Sequence, residues 1–211
     1  MAGRAVIVAG DQVVLTAPER EDFVSRWELL GDPVDAMLEG SPAITQSPFA
    51  RTMPPATREQ REALYGQHVA RTILCFDSRT GGPDGACVAE AHLCEITWPR
   101  ASGDLGVVVF AREDRRQGIG AETAALVCAY AFDGLGLNRI SWRFPVANVA
   151  AAATSERLAR DHGARPVGIA REAEWVAGAH GDAAVWELLR RDFPPHPATA
   201  ELRTPPGEFQ G

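Results

Sequence analysis

One segment limits what this chain can fold into more than any other: an apolar strand that runs into a glycine turn and then a helix. Leu105-Gly-Val-Val-Val-Phe110 is apolar at every position, which predicts a central strand covered on both faces. The Ala-rich stretch from Gly118 to Phe132 predicts a helix. Between them lies Arg115-Arg116-Gln117-Gly118-Ile119-Gly120. Glycines there let a ligand approach the backbone closely. The unpaired N–H groups of the first helical turn, with the helix dipole behind them, suit a phosphate or pyrophosphate. Arg115 and Arg116 add positive charge at the same place. The Gly-Lys-Ser/Thr ending of a nucleotide phosphate loop is absent, and so is the third glycine of a dinucleotide fingerprint. A glycine turn that only caps a helix fits the same residues.

The flanking pattern predicts a mixed α/β sheet. Residues 12–17 read as a strand, and Pro18 opens a helix to Leu30, ended by Gly31-Asp32-Pro33. Four prolines between 40 and 57 predict a surface loop, and Thr57 caps a polar helix over 58–67. Strands follow at 69–76 and 86–96, separated by the turn cluster 80–85, so neighbours here should be antiparallel. Ile140, Trp142 and Phe144 alternate with Arg139, Ser141 and Arg143, predicting a strand over 138–144 with one buried face. Ala147 to His162 reads as a helix closed by Gly163. Residues 167–176 and 182–189 form a final hairpin. The sum is an α+β arrangement, one mixed sheet of about seven strands with flanking helices. It is expected as one domain over 1–193, followed by a Pro-rich C-terminal tail, 194–211, loose or draped over the body.

Composition narrows the function classes. The net charge is -7, which argues against a nucleic-acid partner held by overall charge. No apolar run approaches the roughly 18 residues of a membrane span. Every basic residue is Arg. Cys75, Cys87, Cys94 and Cys128 form no C-x-x-C pair and share no zinc spacing with His, so buried free thiols and no metal are expected. With no disulfide framework and no long apolar leader, the cytoplasm is the expected compartment.

Arg115-Arg116-Gln117-Gly118-Ile119-Gly120 resembles the Arg/Gln-x-x-Gly-x-Gly/Ala signature of the GNAT superfamily of acyl-CoA-dependent N-acyltransferases. The order of elements is similar too. Within that family, Leu15 to Pro33, Ala91-His-Leu-Cys-Glu-Ile96 and Gly181 to Arg190 resemble the Rim-type ribosomal-protein N-terminal acetyltransferases. The resemblance covers about residues 12–193. It implies acetyl-CoA as donor, with the pyrophosphate on the amides of Gln117, Gly118, Ile119, Gly120 and Ala121. Arg115 and Arg116 would serve its charge. The pantetheine arm would pair with the backbone of Val108, Val109 and Phe110. The thioester would sit where the strand at 105–110 splays from the strand at 138–144. The acceptor implied is the primary amine of a small molecule or a peptide N-terminus. A homodimer is common among such chains.

Acyl transfer needs a deprotonated amine, an oxyanion stabiliser and a proton for the leaving thiolate. Many family members use a Tyr in the helix after the splayed strand, but Tyr65 and Tyr130 fall elsewhere. The Rim-type branch implies Ser155 as the acid and Glu174 as the proton acceptor, from their spacing around Gly163. A Ser in an Ala-rich helix also back-bonds to its own helix, and a Glu on a hairpin strand also serves as a solvated face. Glu172 shares the strand with Glu174. The branch's coenzyme-touching Asn is Ala152 here, and Asn148, one turn earlier, is its substitute. Glu90 and His92 alternate along one face of a strand; a core or edge histidine is the preferred reading of His92, with the acceptor cleft as the other. Trp98 and Trp142 are core or cleft-wall residues. Two alternatives stand beside acetyl transfer: another acyl-CoA donor or reaction, and a non-catalytic acyl-CoA sensor.

Overall fold

The computed structural model describes residues 4–21, 74–176 and 179–203. Its frame is one mixed sheet of eight strands in the order β1-β2-β3-β4-β5-β6-β8-β7. These are β1 (Val6–Ala9), β2 (Val13–Thr16), β3 (Leu74–Thr80), β4 (Ala86–Thr97), β5 (Ser102–Val109), β6 (Arg139–Pro145), β7 (Arg165–Val176) and β8 (Ala179–Leu189). Neighbours are antiparallel except β5 and β6. Two long helices, α1 (Ile119–Ala129) and α2 (Val149–His162), pack beside one another. The predicted helices at 18–30 and 58–67 and the loop at 40–57 fall largely or wholly outside the described residues.

Among the described residues the sheet has one strand more than the sequence pattern gives, because Val6–Ala9 adds a short strand to β2. A second difference concerns the strand expected at 69–76: residues 69–73 lie outside the described residues, and from Leu74 the strand runs on past 76 to Thr80. Its second half is polar yet buried. Asp77 and Arg79 form an ion pair at 3.0 Å, and Arg79 also donates to Thr16 Oγ1 and the Gly85 carbonyl. Ser78 Oγ meets Thr123 Oγ1 of α1 at 2.8 Å.

α1 is buried on nearly every side, from Ile119 through Ala129, as a helix built mostly of apolar residues must be. A π-helical turn, Tyr130–Gly134, continues it. Ala89, Ala91 and Leu93 of β4 join Leu126 and Ile140 in the core. Asn148 caps α2, its Oδ1 accepting from the Ala151 amide at 3.0 Å. Gly163 ends it at φ 82, the left-handed conformation glycine adopts freely.

The C-terminal segment docks on the ends of these helices. Phe193 stacks on His162 at 5.2 Å and also meets Phe132 and His196. Thr199 is buried and donates to Asp133 Oδ2 at 2.6 Å, beside Arg203. Burial pushes His162 and His196 below the ordinary 6.5. At His162, His196 and Arg157 add to that downward push and Asp161 opposes it. Arg203 adds to it at His196, where Asp11, Asp133 and Glu122 oppose it. Folding therefore favours the neutral rings, and the unfolded chain binds more protons in the window below 6.5. This part of the stability is complete above 6.5 and is lost as pH falls through the depressed folded values. The melting temperature is expected to drop on acidification from pH 7 to 5, and the drop should shrink in His162→Phe.

Candidate active site

β5 and β6 are paired only at their first residues: Ser102 with Arg139, Gly103 with Ile140, Asp104 with Ser141. Beyond Asp104 the β5 edge from Leu105 to Val109 has no strand on it among the described residues, and the two strands part. Ser141 Oγ donates to Asp104 Oδ1 across the floor of this split. On its other side β5 stays paired with β4, Val108 opposite Glu90 and Val109 opposite Ala89. Leu105 and Val108 are buried, whereas Val107 and Val109 are half-buried, so the full cover predicted for this strand is not reached beside the split.

The glycine turn stands at the end of β5. Phe110 hydrogen-bonds back to the Val88 carbonyl at 3.0 Å. Arg115 folds onto the strand, its Nε 3.3 Å from the Val109 carbonyl and its Nη2 3.0 Å from that of Phe110. Arg116, at φ 63, is exposed. Gly118 caps α1 at φ 91 with no side-chain cap. The first helical bond runs from the Glu122 amide to the Gly118 carbonyl at 3.0 Å, so the amides of Ile119, Gly120 and Ala121 precede it. Gly120 lies against Val109 and Thr154.

Arg157 of α2 reaches this turn. A Cβ on Gly118 would collide with its guanidinium. Nothing local marks Arg157 for this position; the packing of α2 on α1 brings it there. On its far side opens a cavity of about 520 Å³, lined among others by Gln12, Glu122, Leu126, Arg157, His162 and Pro197. Asn148, the predicted substitute for the coenzyme-touching Asn, is placed as the α2 cap described above.

Ser155 and Glu174 attach to the split from opposite faces of the sheet. Ser155 is 1% exposed. Its Oγ accepts from Trp142 Nε1 at 2.8 Å and donates to the Ala151 carbonyl at 2.9 Å. The carboxylate of Glu174, 13% exposed, sits 3.2 Å from Arg143 Nε. Trp142 and Arg143 are successive residues of β6 and so face opposite ways. They are also the first two residues past the last β5–β6 pair. The structure thus brings both candidates to the mouth of the split without joining them to each other. Glu172 is exposed at φ 50 in a bulge of β7 between Ala170 and Glu174.

Tyr130 packs edge-on against Phe76 in the core. Cys94 donates to the Asp104 carbonyl near the split floor. Its thiol is pushed up to about 11, by burial first and then by Asp104 and Glu95. Burial alone takes Cys128 to about 12. None of the four cysteines is in a disulfide. Among the described residues there is no group of three metal-ligating side chains, and no helix is long and apolar enough to cross a membrane.

Comparisons with known proteins fit this geometry. A family model described as acetyltransferase (GNAT) domain matches residues 12–159. A probable acetyltransferase of known crystal structure superposes with a TM-score of 0.69 at 19% identity, covering 87% of this chain and 96% of its own. Spermidine N-acetyltransferase from Vibrio cholerae, in complex with CoA and spermine, gives 0.70 at 19% identity, covering 87% and 98%. A dodecameric form of that protein gives 0.65 at 20% identity, covering 86% and 95%. A search of curated proteins found no match. The comparisons reach the family but not the Rim-type branch, since these solved neighbours carry the names of other acetyltransferases. A family match over most of the chain, on a split sheet with a glycine-started helix at its end, shows that the chain belongs to the GNAT acetyltransferases, which use acetyl-CoA, and is an N-acetyltransferase.

Proposed function

We propose that the protein transfers an acetyl group from acetyl-CoA to a cationic primary amine, by direct attack on a thioester held in the β5–β6 split. The observation that carries this is the end of the β5–β6 pairing at Asp104 and Ser141, directly before the glycine turn. Pantetheine lies along the open β5 edge at Val108 and Val109; the Phe110 amide, expected to join it, is turned to the Val88 carbonyl instead, and Arg115 gives up the Val109 carbonyl when the arm enters. The pyrophosphate lies on the amides of Gln117 to Ala121, with Arg116 and Arg157 beside it. The nucleotide end extends toward the cavity past Arg157. Asn148 acts here through α2, whose start its cap fixes.

Ser155 serves the leaving sulfur. Its hydroxyl is ordered by Trp142 and Ala151, and it hands a proton to the thiolate as the carbon–sulfur bond breaks. Glu174 holds the incoming ammonium from the other face. Asp104 and Glu90 add carboxylates on that same face, which favours a cation over an acidic amine. The protonated thiol of Cys94 supports direct attack rather than an acyl-cysteine. The acceptor follows from this charge. Polyamines, of the kind the Vibrio cholerae neighbour was solved with, and peptide N-termini, as the Rim-type resemblance implies, are the two classes to compare.

Calorimetry with acetyl-CoA, followed by thiol release over a panel of amines, tests the proposal. Micromolar binding with release on a cationic amine is expected. Binding without release on any amine would overturn it. In Ser155→Ala with Glu174→Ala, turnover is expected to fall about 100-fold or more, the usual contribution of positioned proton-transfer groups, with coenzyme binding retained.

A further inference from the structure

An amine must lose its ammonium proton before it can attack a thioester. Glu174 already has Arg143 on one carboxylate oxygen, and Ser155 stands on the other face. A third group reaches the split. His92 of β4 is paired with Gly106 of β5. A Cβ on Gly106 would collide with the imidazole, and Nε2 is the ring atom nearest to it. The ring therefore lies across β5, where any other residue at 106 would lift it off. Gly106 is two residues past the last β5–β6 pair, so Nε2 is carried from β4 over β5 toward the open edge.

The face it occupies is defined by register. On β4, Glu90, His92 and Cys94 point away from the core, while Ala89, Ala91 and Leu93 point into it. Their partners Val108, Gly106 and Asp104 share that outer face. Ser141, bonded to Asp104, extends the face to β6, and Arg143 with Glu174 completes it across the split. From β3, Cys75 and Asp77 lie opposite His92 and Glu90. The charged and titratable groups on this face are Glu90, Cys94 and Asp104, then Cys75 and Asp77 with its partner Arg79, and, across the split, Arg143 with Glu174. Imidazole is the side chain suited to accepting a proton near neutral pH, and here it is placed by the backbone of Gly106.

We infer that His92 Nε2 accepts the proton of the acceptor ammonium, an inference that rests on the split being the site of transfer. The ammonium bound against Glu174 gives one proton to Nε2. The neutral nitrogen bonds to the thioester carbonyl carbon, and the carbon–sulfur bond breaks. The nitrogen's second proton is lost as the thiolate takes one up. The products are the amide, the free thiol and an imidazolium that returns its proton to water.

The test is the pH profile of kcat/KM for His92→Gln, measured with acetyl-CoA and the best amine of the panel. At pH 7 turnover should fall about 100-fold, with coenzyme affinity unchanged by calorimetry. The deficit should shrink as pH rises and more of the amine arrives unprotonated. Gly106→Ala keeps the imidazole but displaces it, and should reproduce the loss. It also carries the test if His92→Gln does not fold. Wild-type turnover and pH profile in these variants would overturn the role of His92 while leaving acetyl transfer intact. A wild-type enzyme that binds coenzyme but acetylates no amine would overturn both.

Discussion

Gly118→Val is expected to weaken coenzyme binding by about 100-fold or more while the protein stays folded. Gly118 stands at φ 91, where a β-branched residue is strongly disfavoured, and a Cβ there would strike the Arg157 guanidinium. The loop can relieve both only by moving. That turns the amides of Ile119, Gly120 and Ala121 away from the phosphates and displaces the cation beside them. A 100-fold loss corresponds to about 2.7 kcal/mol, of the size expected when several such contacts go together. Gly82→Ala is the control: it also changes a left-handed glycine, but one in an open turn with nothing within 4 Å. Calorimetry should show wild-type affinity in that variant.

Asp77→Ala should be among the most destabilising single changes in the sheet, at about 3–5 kcal/mol by denaturant unfolding. Asp77 and Arg79 are both buried and are paired at 3.0 Å. Removing the carboxylate leaves a guanidinium uncompensated inside the protein, and that costs more than the pair itself contributes. Adding Arg79→Met should therefore recover about 2 kcal/mol or more. Equal stability of the single and double variants would show that the pair is not coupled.

These two sites differ in how far the sequence reveals them. The strand–glycine–helix segment was legible because each part is local: an apolar run, two glycines and an Ala-rich stretch. Helix α2 was legible from its Ala-rich run and from Gly163 at its end, whereas the cap that Asn148 supplies at its start emerged only with the structure. β3 runs past its expected end because hydrophobic alternation cannot recognise Asp77, Ser78 and Arg79 as interior. Thr16, Thr123 and Gly85, remote in the chain or across a turn, are among the groups that satisfy them. β1 was missed because four residues at a sheet edge carry too little pattern. Arg157 was missed because its meeting with Gly118 depends on how two helices pack, and no spacing rule encodes that. His92 read from the sequence first as a core or edge histidine, with the cleft second; its passage over β5 became visible only with the register that sets it on Gly106. The order of Ser155 and Glu174 about Gly163 led to the split, but their separation onto opposite faces required the alternation of Trp142 and Arg143 on β6.

The central claim is that coenzyme A occupies the split and the glycine turn together. Amide hydrogen exchange with and without saturating coenzyme A tests it most directly. Slowed exchange is expected at two places at once, the β5 edge from Val107 to Val109 and the turn from Gln117 to Ala121, with little change in the β7–β8 hairpin. Tight binding that leaves both segments exchanging as in the free protein would contradict the account.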